Sequence, residues 1–169
     1  LGMGTRGDKD FSPYLSGGRW ALPTPEEDDA FTIPFGQAHV VKEGTDCTVG
    51  TAGRPVHFAL EAAGELEKEG IDVEVIDCRT YRPLDIDTIA ASVRKTNYCV
   101  VADQCWPFAS IASELAATVH EHCFDDLDNS VKRVNNDDIP PPYNRNREQD
   151  MLPNARKIAE AVRQATYNA

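Results

Sequence analysis

Short runs of β-branched and apolar residues alternate with amphipathic segments from about residue 36 to the end of the chain. The runs favour strands, and the amphipathic segments repeat apolar side chains at the spacing of a helix face. The predicted strands are 38–41, 46–51, 73–77, 98–103 and 131–134. The predicted helices are 55–66, 86–93, 111–119 and 155–162. The alternation is typical of a mostly parallel sheet with both faces covered, so we predict one three-layer α/β/α domain over residues 34–169.

Turn and cap residues support these boundaries. A turn at 43–45 separates the first two predicted strands. Pro55 suits the first turn of a helix, and Gly70 suits the cap at its end. Asp85 is placed to favour the N-terminal dipole of the second helix.

Residues 1–33 differ from the rest, since they are rich in glycine and proline and contain the acidic run 26–29. This composition predicts a linker or an extended arm. A solvated linker rarely carries many large apolar groups, yet this one contains Phe11, Tyr14 and Trp20. We therefore expect these three side chains to contact a partner.

Charge excludes one class of partner. The 169 residues include 17 Lys or Arg and 28 Asp or Glu, for a formal net charge of −11. Backbone phosphates repel such a surface, and no basic stripe offsets it, so we expect no nucleic-acid binding. No apolar run approaches the roughly 20 residues that cross a bilayer, so we also expect no membrane-spanning segment.

The pattern of cysteines indicates that their thiols have a structural role and do not bind a metal or act in redox chemistry. They are odd in number, scattered and without a C-x-x-C pair, at Cys47, Cys78, Cys99, Cys105 and Cys123. Most lie in apolar stretches, which is typical of reduced thiols in an intracellular protein.

The loop at 103–107 follows a predicted parallel strand and precedes a helix, the edge where ligands bind in this architecture. Asp103 could act as a base there, and Cys105, near a helix start, could have a lowered pKa. No histidine lies beside them in sequence, and Trp106 and Pro107 are more typical of a subunit contact. We predict a contact surface at Asp103, Trp106 and Pro107, with the catalytic interpretation as the alternative.

Two other groups suggest binding sites more weakly. The turn 50–55 could hold an anion at a helix N-terminus with Arg54, but it lacks G-x-G-x-x-G spacing, so a plain turn is favoured. His120 and Cys123 can share a helix face, but two ligands do not make a closed zinc site.

Acidic clusters occur after the third predicted helix, at Asp125 and Asp126, and again at 137–138. Such clusters are more often solvated loop charges than catalytic carboxylates. Their functional interpretation is a docking surface for a basic partner, which the net charge also allows.

Eight short stretches occur in a familiar order, at 32–38, 60–63, 74–77, 79–85, 92–97, 106–107, 133–134 and 140–143. They include Arg79-Thr80-Tyr81-Arg82-Pro83-Leu84-Asp85. Together they resemble the C-terminal domain of the transketolase-like thiamin-diphosphate enzymes. The likeness is closest to the β subunit of the first component of pyruvate dehydrogenase and its branched-chain 2-oxo acid relatives.

The resemblance implies a five-stranded mixed sheet with helices on both sides. In this family the cofactor pyrimidine lies in the preceding domain, and the diphosphate and magnesium lie on a partner domain. The resemblance thus implies that this chain has no catalytic, cofactor or metal residues of its own, while thiamin diphosphate and Mg act in the parent complex. It also implies an oligomer with dehydrogenase α and β chains and the basic subunit-binding domain of dihydrolipoamide acyltransferase, in the mitochondrial matrix or the bacterial cytoplasm.

One loop departs from the family. Relatives usually carry a glycine-rich turn after the position of Trp106 and Pro107, whereas 108–112 contains no glycine. Side chains there restrict the backbone, so we expect no active-site contribution from this loop. The leading prediction is a non-catalytic assembly and partner-docking domain. The alternatives are a structural accessory subunit of a larger mitochondrial assembly and a free-standing small enzyme that uses Asp103, Cys105 or a histidine.

Overall fold

The structure is a computed structural model that describes residues 32–167. Residues from Phe35 onward belong to one compact unit. The predicted arm lies almost wholly outside the described residues, and so do Phe11, Tyr14 and Trp20.

Within residues 32–167 the chain forms five strands and five α-helices. The strands are β1 His39–Lys42, β2 Cys47–Thr51, β3 Val73–Asp77, β4 Cys99–Ala102 and β5 Lys132–Val134. The helices are α1 Arg54–Leu66, α2 Ile86–Thr96, α3 Ile111–Cys123, α4 Arg145–Met151 and α5 Ala155–Ala165. Short 3₁₀ turns, Glu67–Glu69 and Phe124–Asp126, follow α1 and α3.

Every strand and helix predicted from the sequence is present in the structure. The structure also contains α4, which the sequence did not predict. Helix α4 is short and mostly polar, so it carries no apolar period that sequence analysis could detect. It forms because the Asn144 side chain accepts hydrogen bonds from the backbone N–H groups of Asn146 and Arg147, while Met151 is buried at its end.

The strands form one mixed sheet in the order β1-β3-β2-β4-β5. Strand β2 is parallel to β3 and to β4, and β4 is parallel to β5. Strand β1 is antiparallel to β3 at one edge. The predicted five-stranded, mostly parallel sheet is therefore confirmed.

The turn between β1 and β2 does not close a hairpin, because β3 lies between these two strands. The backbone N–H groups of Thr45 and Asp46 donate instead to the carbonyl of Asp72, just before β3. The Lys42 ammonium also pairs with the Asp72 carboxylate at 2.8 Å. The turn between β1 and β2 is thus held by hydrogen bonds and an ion pair to Asp72, the residue before β3.

Helices pack in pairs, α1 with α5 and α2 with α3. These pairs form the outer layers, and the central strands are buried between them. The largest fully buried apolar side chains come from α1, β3, α2 and α5 and are Leu60, Leu66, Ile76, Ile89 and Ile158. Burial on both faces explains why β4 is apolar along its length and why β2 and β3 are rich in Val, Ile, Cys and Thr.

One buried carboxylate interrupts this core. Glu74, in β3, is 2% exposed and accepts hydrogen bonds from the Lys95 ammonium on α2 and from the Gly44 backbone N–H. Burial raises the pKa of Glu74, but hydrogen bonds, that of Lys95 foremost, outweigh it and hold the pKa below its usual value. The pair fixes α2 against the sheet.

The segment 79–85 ties the start of β1 to α2. Thr80 Oγ1 accepts from the Gly36 N–H at 2.9 Å and donates to the Pro83 carbonyl at 2.8 Å. The Asp85 carboxylate caps α2 by accepting from the Thr88 N–H, and it also accepts from the Ala38 N–H. The expected role of Asp85 at the helix start is confirmed.

Candidate functional site

The strongest candidate site is the loop from Asp103 to Ser110, which joins β4 to α3. Its start is fixed by the Asp103 N–H, which donates to the Val134 carbonyl at 3.0 Å. Its middle is fixed by the Arg133 guanidinium, which donates to the Pro107 carbonyl at 2.9 Å. Strand β5 therefore holds the loop at the carboxyl edge of the sheet.

Three large apolar side chains at the junction of β4 and α3 are exposed to solvent. Trp106 is 52% exposed, Phe108 is 87% exposed and Ile111 is 37% exposed. We call these three residues the β4–α3 patch. Phe108 is the most exposed of the three, and each leaves apolar surface in solvent, so binding of a partner that covered the patch would gain free energy in proportion to the area removed from water.

A cavity of about 640 Å³ opens beside the patch. Its lining is mostly apolar, with one carboxylate, and consists of Cys105, Trp106, Phe108, Ala109, Ser110, Ile111, Ser113 and Glu114. Aromatic side chains around an opening with few polar groups are typical of a protein contact.

The backbone of the loop is strained at Ala109, which has a φ of 51°. A side chain is disfavoured in this left-handed region by roughly 1–2 kcal/mol, and glycine is not. Because Ala and not Gly occupies this left-handed position, the loop conformation lowers the stability of the fold. The following residue, Ser110, caps α3 by accepting a hydrogen bond from the Ser113 N–H.

The catalytic interpretation of Cys105 is wrong in its main premise. Partial burial, followed by the Asp103 carboxylate, raises the pKa of this thiol instead of lowering it. Cys105 precedes the first residue of α3 by six positions, so the dipole of that helix is too remote to stabilise a thiolate. Asp103 and Cys105 adjoin each other, but the geometry favours a protonated, ordinary thiol.

The remaining cysteines, Cys47, Cys78, Cys99 and Cys123, are buried, and all five are free thiols. Burial, with a smaller contribution from Asp46, raises the pKa of Cys47 to about 12. Burial and Asp77 likewise raise the pKa of Cys78 to about 12. These thiols pack as small apolar groups.

The two aspartates of the acidic cluster have different surroundings. Asp125 is exposed, whereas Asp126 is half-buried and pairs with Arg94 at 3.3 Å. The Asp126 carbonyl also accepts a hydrogen bond from Asn97. Asp126 thus ties the 3₁₀ turn after α3 to α2, and Asp125 is the member of the pair that faces solvent.

The weaker candidates gain no support as ligand sites. Gly53, with a φ of 66°, precedes α1, and the Arg54 guanidinium lies 5.4 Å from the centre of the Phe58 ring. His120 Nδ1 lies 2.7 Å from the Ala116 carbonyl within its own helix. Among residues 32–167 no group of three or more His, Cys, Asp or Glu side chains could hold a metal ion.

Sequence analysis found Trp106 and Pro107 but missed Phe108, Ile111 and Glu114 as parts of one surface. Ile111 occupies an apolar position of the third predicted helix. Sequence alone does not show that its side chain is partly exposed and lines the cavity at the start of α3. In the described part of the chain, no helix is long and apolar enough to cross a membrane.

Comparison with known proteins identifies the fold family. The model of the transketolase C-terminal domain matches residues 36–158. A solved structure described as a split gene transketolase, an inactive beta4 tetramer, matches with a TM-score of 0.65 and 26% identity. That match covers 82% of this chain and 44% of the other.

Several curated relatives share one description, pyruvate dehydrogenase E1 component subunit beta. The protein from Rhizobium meliloti (strain 1021) is 39% identical over 147 residues, which are 87% of this chain and 32% of the relative. The protein from Rickettsia bellii (strain RML369-C) is 45% identical over 135 residues, or 80% of this chain and 42% of the relative. The protein from Rattus norvegicus, described as mitochondrial, is 40% identical over 150 residues, or 88% of this chain and 42% of the relative.

The chain therefore spans less than half the length of the curated relatives it matches. The resemblance inferred from the eight sequence stretches is confirmed, and so is the fold it implied. The chain belongs to the transketolase C-terminal domain family, in the form similar to pyruvate dehydrogenase E1 β subunits.

Proposed function

We propose that this chain is the assembly and partner-docking domain of a thiamin-diphosphate-dependent 2-oxo acid dehydrogenase β subunit. In this proposal other domains hold thiamin diphosphate and magnesium and carry out the oxidative decarboxylation. The chain contributes a rigid surface that joins subunits. The observation that carries the proposal is the 39–45% identity to pyruvate dehydrogenase E1 β subunits over 80–88% of the chain.

The β4–α3 patch supports the assembly part of the proposal. Trp106 and Phe108 are aromatic, exposed and adjacent to a cavity, and buried aromatic anchors contribute much of the binding free energy at protein interfaces. The loop that carries them is held by the hydrogen bond from Arg133 to the Pro107 carbonyl, so little conformational entropy would be lost on binding. We assign Asp103, Trp106 and Pro107 to a contact with dehydrogenase subunits.

Charge supports the docking part. The chain carries a net charge of −11, and Asp125 is exposed beside Asp126. A basic partner, such as the subunit-binding domain of a dihydrolipoamide acyltransferase, would be attracted to such a surface and would associate faster at low ionic strength. Such a complex would be multi-subunit, in the mitochondrial matrix or the bacterial cytoplasm.

The accessory-subunit alternative has less support, because the relatives quoted above are described as dehydrogenase subunits. The free-standing enzyme alternative has less support, because the pKa of Cys105 is raised and not lowered.

The assembly role can be tested by binding to purified pyruvate dehydrogenase α and β subunits from the same organism, measured by surface plasmon resonance. Phe108→Asp places a charge in the patch and should weaken binding at least about tenfold. Phe124→Asp is the matched control, because Phe124 is 75% exposed in the 3₁₀ turn after α3, outside the loop. It should change the affinity by less than about twofold.

Equal weakening by both substitutions would show that the patch is not the contact. A chain that binds none of these subunits, under conditions in which it is folded by circular dichroism, would overturn the assembly role itself.

A further inference from the structure

A proline-rich segment, Pro140-Pro141-Pro142-Tyr143, connects β5 to α4 and plays no part in the site described above. Proline fixes φ near −65°, and a residue that precedes proline is driven towards extended or polyproline II conformations. Ile139, Pro140 and Pro141 each precede a proline. The segment lies outside the helices and strands of the structure, and its run of prolines favours a polyproline II conformation.

Both ends of the segment are anchored. At one end the Asp137 N–H donates to the Met151 carbonyl at 3.0 Å, and the Asp137 carboxylate pairs with Lys157 at 2.8 Å. At the other end Asn144 caps α4. The prolines are therefore presented as a bridge between two fixed points, which lowers the entropy lost when a partner binds them.

Tyr143 is fully exposed, at 105% of its reference area. It precedes the cap residue Asn144, a position from which an apolar side chain often packs onto the fourth residue of the helix. That residue is Glu148, which offers no apolar surface. Within residues 32–167 the Tyr143 ring thus has no buried position, and it remains available to a partner.

We propose that Pro140–Tyr143 is a docking site for a small domain whose aromatic-lined groove holds a polyproline II strand, of the WW type. A polyproline II helix repeats every three residues, which places Pro140 and Tyr143 on one face. The adjacent prolines stack on the aromatic groove, and Tyr143 occupies the neighbouring pocket. An SH3-type groove is disfavoured, because the segment lacks P-x-x-P spacing.

The test uses a dye-labelled, isolated WW domain of the class that binds Pro-Pro-x-Tyr, titrated with the chain and followed by fluorescence polarisation. We expect saturable binding that Tyr143→Ala weakens at least about tenfold. The substitution should leave the melting temperature unchanged, because the side chain is fully exposed. Ile139→Ala, at a half-exposed position just outside the motif, should change the affinity by less than about twofold.

A synthetic peptide of residues 137–146 provides a second measurement that does not depend on the fold of any variant. It should compete with the chain for the WW domain, and the same peptide with the Tyr143→Ala change should not. Absence of saturable binding to the chain would overturn the proposal. Equal binding by the Tyr143→Ala variant, or preference for an SH3 domain, would do the same.

Discussion

The ion pair of the buried Glu74 carboxylate and the half-exposed Lys95 ammonium provides the sharpest test of how the sheet is held to α2. Lys95→Met keeps most of the side-chain volume but removes the ammonium that donates to the Glu74 carboxylate. That carboxylate is 2% exposed, so it would retain the Gly44 N–H and the Ser92 hydroxyl but lose its opposite charge. The variant should therefore be destabilised.

The magnitude follows from the exposure of the two partners. Removing one member of a fully buried ion pair costs about 3–5 kcal/mol. Lys95 is 42% exposed, so solvent screens part of its interaction, and we expect a loss of about 2 kcal/mol at neutral pH. For a domain of this size the melting temperature would fall by about 4–8 °C.

The pH dependence distinguishes this explanation from a simple packing defect. In the unsubstituted chain the pKa of Glu74 is lowered on folding. Its ionisation therefore stabilises the fold above the unfolded pKa, and this stabilisation is lost as pH falls through the folded pKa. Without Lys95 the pKa of the buried carboxyl should rise above its unfolded value, so protonation should stabilise the variant as pH falls.

Urea unfolding at pH 7 and near pH 4.5 measures the difference between the two chains. The free energy lost in Lys95→Met should be largest at pH 7 and should shrink near pH 4.5. A loss below about 0.5 kcal/mol, or one that is equal at the two pH values, would refute the assigned role of this pair.

Three further outcomes are expected from positions elsewhere in the fold. Gly44→Ala should destabilise by about 3 kcal/mol in urea unfolding, because the added Cβ would overlap the backbone of Val73 and Glu74. Gly64→Ala is its control and should stabilise by about 0.5–1 kcal/mol, since nothing lies within 4 Å of the added Cβ in α1. Ala109→Gly should raise the melting temperature slightly, because relief of the left-handed strain exceeds the entropy cost of glycine, and a decrease would contradict the strain argument. Titration with a thiol reagent at pH 8 should label Cys105 alone in the native chain and all five cysteines in urea; early labelling of a second thiol would show that the core opens.

Sequence patterns predicted most of this fold because its central strands are buried on both faces. Strand β4 is a continuous apolar run, β3 is apolar except for Glu74 and Asp77, and α5 places its buried side chains on one face. The short helix α4 escaped prediction because its formation depends on the Asn144 cap and on one buried side chain, Met151. The position of β1 beside β3 also escaped prediction, because this backbone pairing joins residues more than 30 positions apart in the sequence.

The candidate site was only partly predictable. Trp106 and Pro107 could be found from residue type and from their position after a strand. The exposure of Phe108, by contrast, follows from the loop conformation that Arg133 and the left-handed Ala109 impose. The raised pKa of Cys105 likewise follows from partial desolvation of its side chain and from the Asp103 carboxylate in the folded loop, which residue types alone do not specify.

Native mass spectrometry of the chain isolated from its source under mild conditions tests the assembly role most directly. Our account predicts that its companions are thiamin-binding dehydrogenase subunits and a dihydrolipoamide acyltransferase. Recovery of the folded chain within a respiratory, ribosomal or other unrelated assembly, without those subunits, would contradict it and would identify the domain as a structural accessory subunit.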